Sequence, residues 1–213
     1  MNVLLLGATG FSGKEVLKEL LRKNYTVTAI TRDSSSVKTR HSNLTILEGD
    51  VLDEVFVGNA LTGKDAVINC LGIGGKGNAK PNALVSNATK VVVNQMERSA
   101  TKRLICMSNV GAGDSIKYQP WIFTQLILPY FMKWLQVIID DKNIMEPAVA
   151  KSKLDWTILR FPNIVDKPGK GKVSATLDGK GLKMSITNED LAVFMVQQLE
   201  SDQFLHQSPS VSN

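Results

Sequence analysis

The first 22 residues place the strongest constraint on the fold. An apolar run, "NVLLL", stops at Gly7, two more glycines follow at Gly10 and Gly13, and an amphipathic helical pattern continues to Arg22. A strand that feeds a helix through glycines at three-residue steps meets three needs: a tight turn, close approach of a ligand to the backbone, and close packing of helix on strand. The helix N-terminus adds open N–H groups and a partial positive charge. That order points to the pyrophosphate of a dinucleotide.

The rest of the chain repeats the strand-then-helix rhythm. Short β-rich apolar runs are read at Asn2 to Leu6, Thr26 to Thr31, Leu44 to Glu48, Ala66 to Leu71, Arg103 to Met107 and Trp156 to Arg160. Helices are predicted at Phe11 to Arg22, around Glu54 to Leu61, at Pro81 to Ala100 and from Lys142 to Ser152. Alternation of this kind implies βα units on a parallel sheet, and right-handed crossovers wind them into a doubly wound, three-layer α/β fold. Ligands of such sheets sit at the carboxyl ends of the strands, where the glycine turn lies. With 213 residues, 43% of them hydrophobic, a single domain over residues 1–200 is expected. Residues 201–213 read as a C-terminal tail. An apolar stretch, "WIFTQLILPYFMKWLQVII", reads as a helical flap at about 115–139. Gln125, Pro129, Lys133 and Gln136 interrupt it, so no membrane span is expected, and core packing, an oligomer contact and a substrate lid all remain open for it.

Charge and cysteine content narrow the class. The net charge is +5, but Lys and Arg are scattered without a run or interleaved aromatics, so nucleic acid is not the expected partner. No basic segment followed by an apolar stretch and a small-residue cleavage site opens the chain, and a cytoplasmic setting is expected. Cys70 and Cys106 lie in separate apolar runs and read as buried thiols. His41 and His206 sit in a loop and near the end, so neither joins a catalytic triad or a metal cluster; no metal site is expected. A phosphate-binding GxxxxGK[ST] loop is absent.

The end of the second strand bears on which dinucleotide. The chain reads "VTAITRDSSSVK", with Arg32 where an NAD site usually carries an acid for the ribose 2′-hydroxyl. A planar, permanently charged guanidinium suits a 2′-phosphate, so NADP(H) is expected; Asp33 next to it could instead reach a 2′-hydroxyl.

Taken in order, "GATGFSG", "VTAITRDSS", "EGDVLD", "DAVINCLG" and "ATLDGKG" resemble the atypical short-chain dehydrogenase/reductase family, in its NADPH-dependent flavin reductase branch. The likeness runs from Asn2 to about Leu199. It implies an NAD(P)-binding Rossmann fold with Thr9, Gly10, Phe11 and Ser12 along the pyrophosphate, Arg32 at the 2′-phosphate, and Asp50 with Val51 against the adenine. Leu71 and Gly72 would border the ribose and phosphates. Ser108 would stand near the nicotinamide, and Pro162, Asn163 and Ile164 would approach the carboxamide. From the residues alone, Asp50 could equally cap the following helix, and Ser108 its own turn.

The substrate half departs from that branch. Only small residues follow Ser108, in "SNVGAG", where the branch carries aromatics, and Asn163 stands in place of a histidine. Tyr130 and Lys133 are three residues apart, not the four that let a tyrosine and a lysine share proton transfer across one helical turn. The reading is an NADP(H)-dependent oxidoreductase that passes hydride to a planar acceptor such as a flavin or quinone, with Ser108 as the candidate catalytic residue. The rival is an NADP(H)-sensing protein that binds a partner without turnover.

Overall fold

The computed structural model describes residues 1–73 and 83–213. Ten strands and five α-helices are formed among them: β1 (Asn2–Leu6), α1 (Phe11–Arg22), β2 (Thr26–Thr31), β3 (Leu44–Glu48), α2 (Glu54–Ala60), β4 (Ala66–Asn69), α3 (Leu84–Glu97), β5 (Arg103–Asn109), α4 (Lys133–Ala150), β6 (Asp155–Phe161), β7 (Asn163–Val165), β8 (Ser174–Thr176), β9 (Ser185–Thr187), α5 (Asn188–Gln197) and β10 (Ser210–Ser212). An eight-stranded sheet runs in the order β3-β2-β1-β4-β5-β6-β10-β8, and β7 pairs with β9 in a small second sheet. Every pairing from β3 through β6 is parallel. This is the expected doubly wound α/β architecture. The strand order reverses between β1 and β4, so their carboxyl ends flank the crevice in which such sheets bind ligands.

Alternation along β1 shows why these strands read as unbroken apolar runs. Val3 and Leu5 pack with Val16, Leu17 and Leu20 of α1 and with Leu191 and Met195 of α5. Leu4 and Leu6 face the other way, toward Val57 of α2, Val92 and Met96 of α3, and Met145 and Val149 of α4. With helices on both faces, neither side of the strand needs polar residues.

Several boundaries differ from the sequence reading. β4 stops at Asn69 rather than Leu71, because the Asn69 side chain accepts from the Leu71 N–H and turns the chain out of the sheet. The helix expected from Pro81 is formed over Leu84–Glu97; Pro81 and Asn82 lie outside the described residues. α4 begins at Lys133, nine residues before the expected start, so it takes in the last third of the apolar stretch. The residues read as a tail return to the sheet: β10 joins β6 in parallel and β8 in antiparallel, with Val211 fully buried. Three residues of "SVS" are too short and too polar to show a periodicity.

Only the last third of the flap packs into the core, through Val137 and Ile138 of α4. After a short turn over Gly113–Tyr118, a wide helix of π type spans Phe123–Phe131, with Pro129 inside it, and Leu128 is its buried residue. No helix of the described residues is long and apolar enough to cross a membrane.

Candidate active site

The glycine turn is built by backbone contacts that leave no room for side chains. Gly7 has φ of +79°, and a Cβ there would lie 2.7 Å from the Cys70 carbonyl oxygen at the end of β4. A Cβ on Gly13 would overlap the Gly7 carbonyl oxygen, and the Gly10 N–H donates to that same oxygen at 2.9 Å. The first turn of α1 is therefore pinned against the crevice between β1 and β4.

Its N–H groups are left open for a ligand. Gly10 at the N-cap supplies no side-chain cap, and no acid stands in the first turn. Other helices of the chain are treated differently. Asp53 caps α2, accepting from Val55 and Phe56; Thr187 caps α5; and the Asp141 carboxylate, reaching across from α4, accepts from Val85 and Ser86 at the start of α3. Thr9 is half-buried, Ser12 is buried and Phe11 is exposed over the turn.

At the end of β2, Arg32 is exposed, and among the described residues no carboxylate pairs with it. Asp33 is occupied by its own turn: its carboxylate accepts from the Ser35 N–H at 2.9 Å and the Ser35 hydroxyl at 2.7 Å, and these bonds hold it below the usual carboxylate range. A cavity of about 550 Å³ opens between α1 and the stretch after β2, with Lys14, Lys18 and Lys38 in its wall. Asp50 accepts from the Leu52 N–H in a local turn, so the cap of α2 is Asp53 and not Asp50. Val51 beside it is buried. At Gly72, beyond the end of β4, a Cβ would meet nothing within 4 Å among the described residues.

Around Ser108 the structure assembles a group that sequence reasoning missed. Ser108 pairs with Arg160 across the β5–β6 ladder, and both reach Glu146 on α4. The Ser108 hydroxyl donates to Glu146 Oε1 at 2.7 Å, while Arg160 donates to both oxygens, at 3.1 Å from Nε and 2.6 Å from Nη2. Burial opposes the Arg160 charge, but its bonds to Glu146 and to Asp114 (2.6 Å) hold the guanidinium above its usual pKa. Ser108 itself is only 1% exposed. Its one proton is directed at Glu146.

One helical turn before Glu146, Lys142 points under the carboxyl ends of β4 and β5. Its Nζ donates to the Met107 carbonyl at 2.7 Å and to the Leu71 carbonyl at 3.3 Å. Burial pulls its pKa down to about 8, against the opposing influence of Cys106 and Asp141. Burial likewise raises the Cys70 and Cys106 thiols to about 12, which keeps them protonated and inert. Ile138, not a tyrosine, stands one turn before Lys142, so the lysine has no phenol to assist. The missed signal was the spacing Ile139, Lys142, Glu146 and Val149: two charges on the buried stripe of a helix. Pro162, Asn163 and Ile164 leave the end of β6 into β7, with Asn163 exposed beside Ser185 of β9.

Comparison with known proteins decides the family, because the NAD(P)H-binding profile matches residues 7–202, from the glycine turn to the end of α5 and beyond. The chain belongs to the NAD(P)H-binding family. It is 26% identical over 210 residues to the uncharacterized protein YwnB of Bacillus subtilis, covering 94% of this chain and 92% of that one. It is also 26% identical to the chloroplastic divinyl chlorophyllide a 8-vinyl-reductase of Cucumis sativus, covering 97% of this chain but 51% of the reductase, so it spans about half of that relative. Among solved structures, the oxidoreductase ylbE from Lactococcus lactis superposes with a TM-score of 0.82 at 22% identity, over 100% of this chain and 91% of that one. ChuY, an anaerobillin reductase from Escherichia coli O157:H7, gives 0.79 at 20% identity, over 100% and 97%. A short-chain dehydrogenase/reductase from Veillonella parvula, solved in complex with NADP, gives 0.74 at 18% identity, over 100% and 94%. The fold shared with these structures is the NAD(P)-binding Rossmann fold.

Proposed function

We propose that this NAD(P)H-binding protein is an NADP(H)-dependent reductase acting on a planar acceptor, with a flavin or a quinone as the first candidates. The observation that carries the cofactor preference is at the end of β2, where Arg32 is exposed and unpaired among the described residues while Oδ1 of Asp33 accepts twice from Ser35 in a surface turn. The cation suited to a 2′-phosphate is thus free at this position, while one oxygen of the neighbouring carboxylate is engaged in its own turn.

The remaining residues fit the same cofactor. A ligand pyrophosphate would lie on Thr9, Gly10, Phe11 and Ser12, at a helix start that no side chain caps. Asp50 and Val51 would meet the adenine, Leu71 and Gly72 the ribose and phosphates, and Pro162, Asn163 and Ile164 the carboxamide. When bound, the reduced nicotinamide supplies the hydride. The protein's part is orientation: Lys142 fixes the Leu71 and Met107 carbonyls at adjacent strand ends, and Glu146, clamped by Arg160, fixes Ser108. With no acidic proton free at Ser108, the acceptor's proton comes from solvent. Reduction of a conjugated acceptor also agrees with the names of two similar proteins, a divinyl chlorophyllide a 8-vinyl-reductase and an anaerobillin reductase.

Isothermal titration with NADPH and NADH tests the cofactor assignment. NADPH is expected to bind more tightly, and the advantage is expected to disappear in Arg32→Ala. An equal loss for both nucleotides would remove Arg32 from the 2′-phosphate site.

A further inference from the structure

The flap exposes its apolar side chains. Trp121, Ile122, Leu126, Tyr130 and Phe131 are each between 50% and 75% exposed within one short helical segment. Isolated exposed hydrophobes need no explanation, but five on consecutive turns form a patch that a soluble surface does not normally carry.

A second segment with exposed apolar residues adjoins the flap. A Cβ on Gly179 would lie 2.5 Å from Tyr118 Cβ, so the loop between β8 and β9 packs directly against the base of the flap. This loop presents Met184, the most exposed large apolar residue described, at 85%. Met184 adjoins Ser185, the partner of Asn163, so the face lies beside the end of β6.

Lysines outnumber the acids around the patch. Lys117 and Lys133 flank the flap, and Lys180 and Lys183 lie on the adjoining loop, all exposed. Between residues 115 and 139 there is no acid. Of the acids that border the patch, Asp114 pairs with Arg160, Asp178 pairs with Lys180 at 2.9 Å, and Asp140 accepts from Gln136 at 2.6 Å, which leaves Lys117, Lys133 and Lys183 without an ion-pair partner among the described residues. A second copy of the chain is a poor occupant, because a two-fold contact would set this cationic rim against itself. Trp and Tyr rings on an apolar helical face with a rim of lysines match the interface of an anionic bilayer, where the rings lie at headgroup depth and the lysines meet the phosphates.

We propose that the flap, together with the Leu177–Met184 loop, docks the protein peripherally onto an anionic lipid surface. The proposal is independent of the reductase reading, and its test needs no nucleotide. Flotation with phosphatidylcholine vesicles, with and without phosphatidylglycerol, is expected to recover the protein only with the anionic lipid, and added salt is expected to release it. Each lysine near such a surface contributes about 1 kcal/mol, so Lys117→Ala with Lys183→Ala is expected to lower the partition coefficient roughly 30-fold. Trp121→Ser with Phe131→Ser is expected to abolish flotation while the far-ultraviolet circular dichroism and the unfolding midpoint stay those of the parent. Because both residues are exposed, retained folding separates a lost surface from a lost structure. Equal recovery on neutral and anionic vesicles would overturn the proposal. So would a dimer in sedimentation that Phe131→Asp dissociates while the parent protein ignores vesicles.

Discussion

At the scale of single residues, two cations carry the account in opposite ways. Arg32 is in solvent and acts through what it would bind. Losing a charged hydrogen bond costs about 1.5–3 kcal/mol, so Arg32→Ala is expected to weaken NADPH binding roughly 10-fold to 150-fold and NADH binding much less. Lys142 is buried and acts through what it holds. Its pKa falls from 10.5 to about 8 on folding. Below about pH 8 it is protonated in both states, and the penalty for burying the charge is fully present. Between about pH 8 and 10.5 the unfolded chain binds the extra proton, so this residue makes stability rise with pH across that window, by up to about 3 kcal/mol. Urea unfolding at several pH values, compared with Lys142→Met, is expected to show the parent gaining on the variant as pH rises. Parallel profiles would mean that Lys142 is not charged and buried as described. Arg32 was legible because its meaning depends on a position next to a strand end. Lys142 was not, because the helix that carries it was expected to start at Lys142 itself, which put the lysine on a frayed end instead of an interior face.

At the scale of elements, one buried ion pair ties α4 to β6 beside the apolar packing of Met145 and Val149. Glu146 and Arg160 are each about 6% exposed in their side chains, with an N–O distance of 2.6 Å. Glu146→Ala would leave the guanidinium buried with only the half-exposed Asp114 as a charged partner, and is expected to destabilise by about 3–5 kcal/mol. Replacing both partners, Glu146→Leu with Arg160→Met, is expected to cost less than the sum of the single changes, and a double-mutant cycle in urea measures the coupling. Additive effects would show that the pair does not join the elements. The elements themselves were readable where one periodicity ran the whole length: β1, α1, β2 and β3 have the bounds that their apolar patterns gave. The pair was not, since Glu146 and Arg160 meet only because Ser108 and Arg160 share a ladder position, and cross-strand register is invisible in a single strand's sequence. The same holds for Ser108: its position at a strand end was legible, its commitment to Glu146 was not.

At the scale of the whole molecule, the last residues insert a strand into the sheet between β6 and β8. β10 covers the edge of β6: the Arg160 N–H donates to the Pro209 carbonyl at 3.0 Å, and Val211 is buried between layers. Truncation after His206 removes that strand and is expected to cost at least about 2 kcal/mol, from the burial of Val211 alone, in chemical unfolding. An unchanged midpoint would return residues 207–213 to the status of a tail. The glycine turn, the exposed Arg32 and the clamped strand ends then converge on the carboxyl edge of a single sheet, and the central claim is that this edge moves hydride from NADPH to a planar acceptor. The most direct test is steady-state NADPH absorbance against FMN, riboflavin, several quinones and a bilin. Saturable NADPH consumption with at least one acceptor, and a lower rate with NADH, is the expected result. No oxidation above the buffer rate with any of them, in the presence of tight NADPH binding, would contradict it and leave a nucleotide-binding sensor.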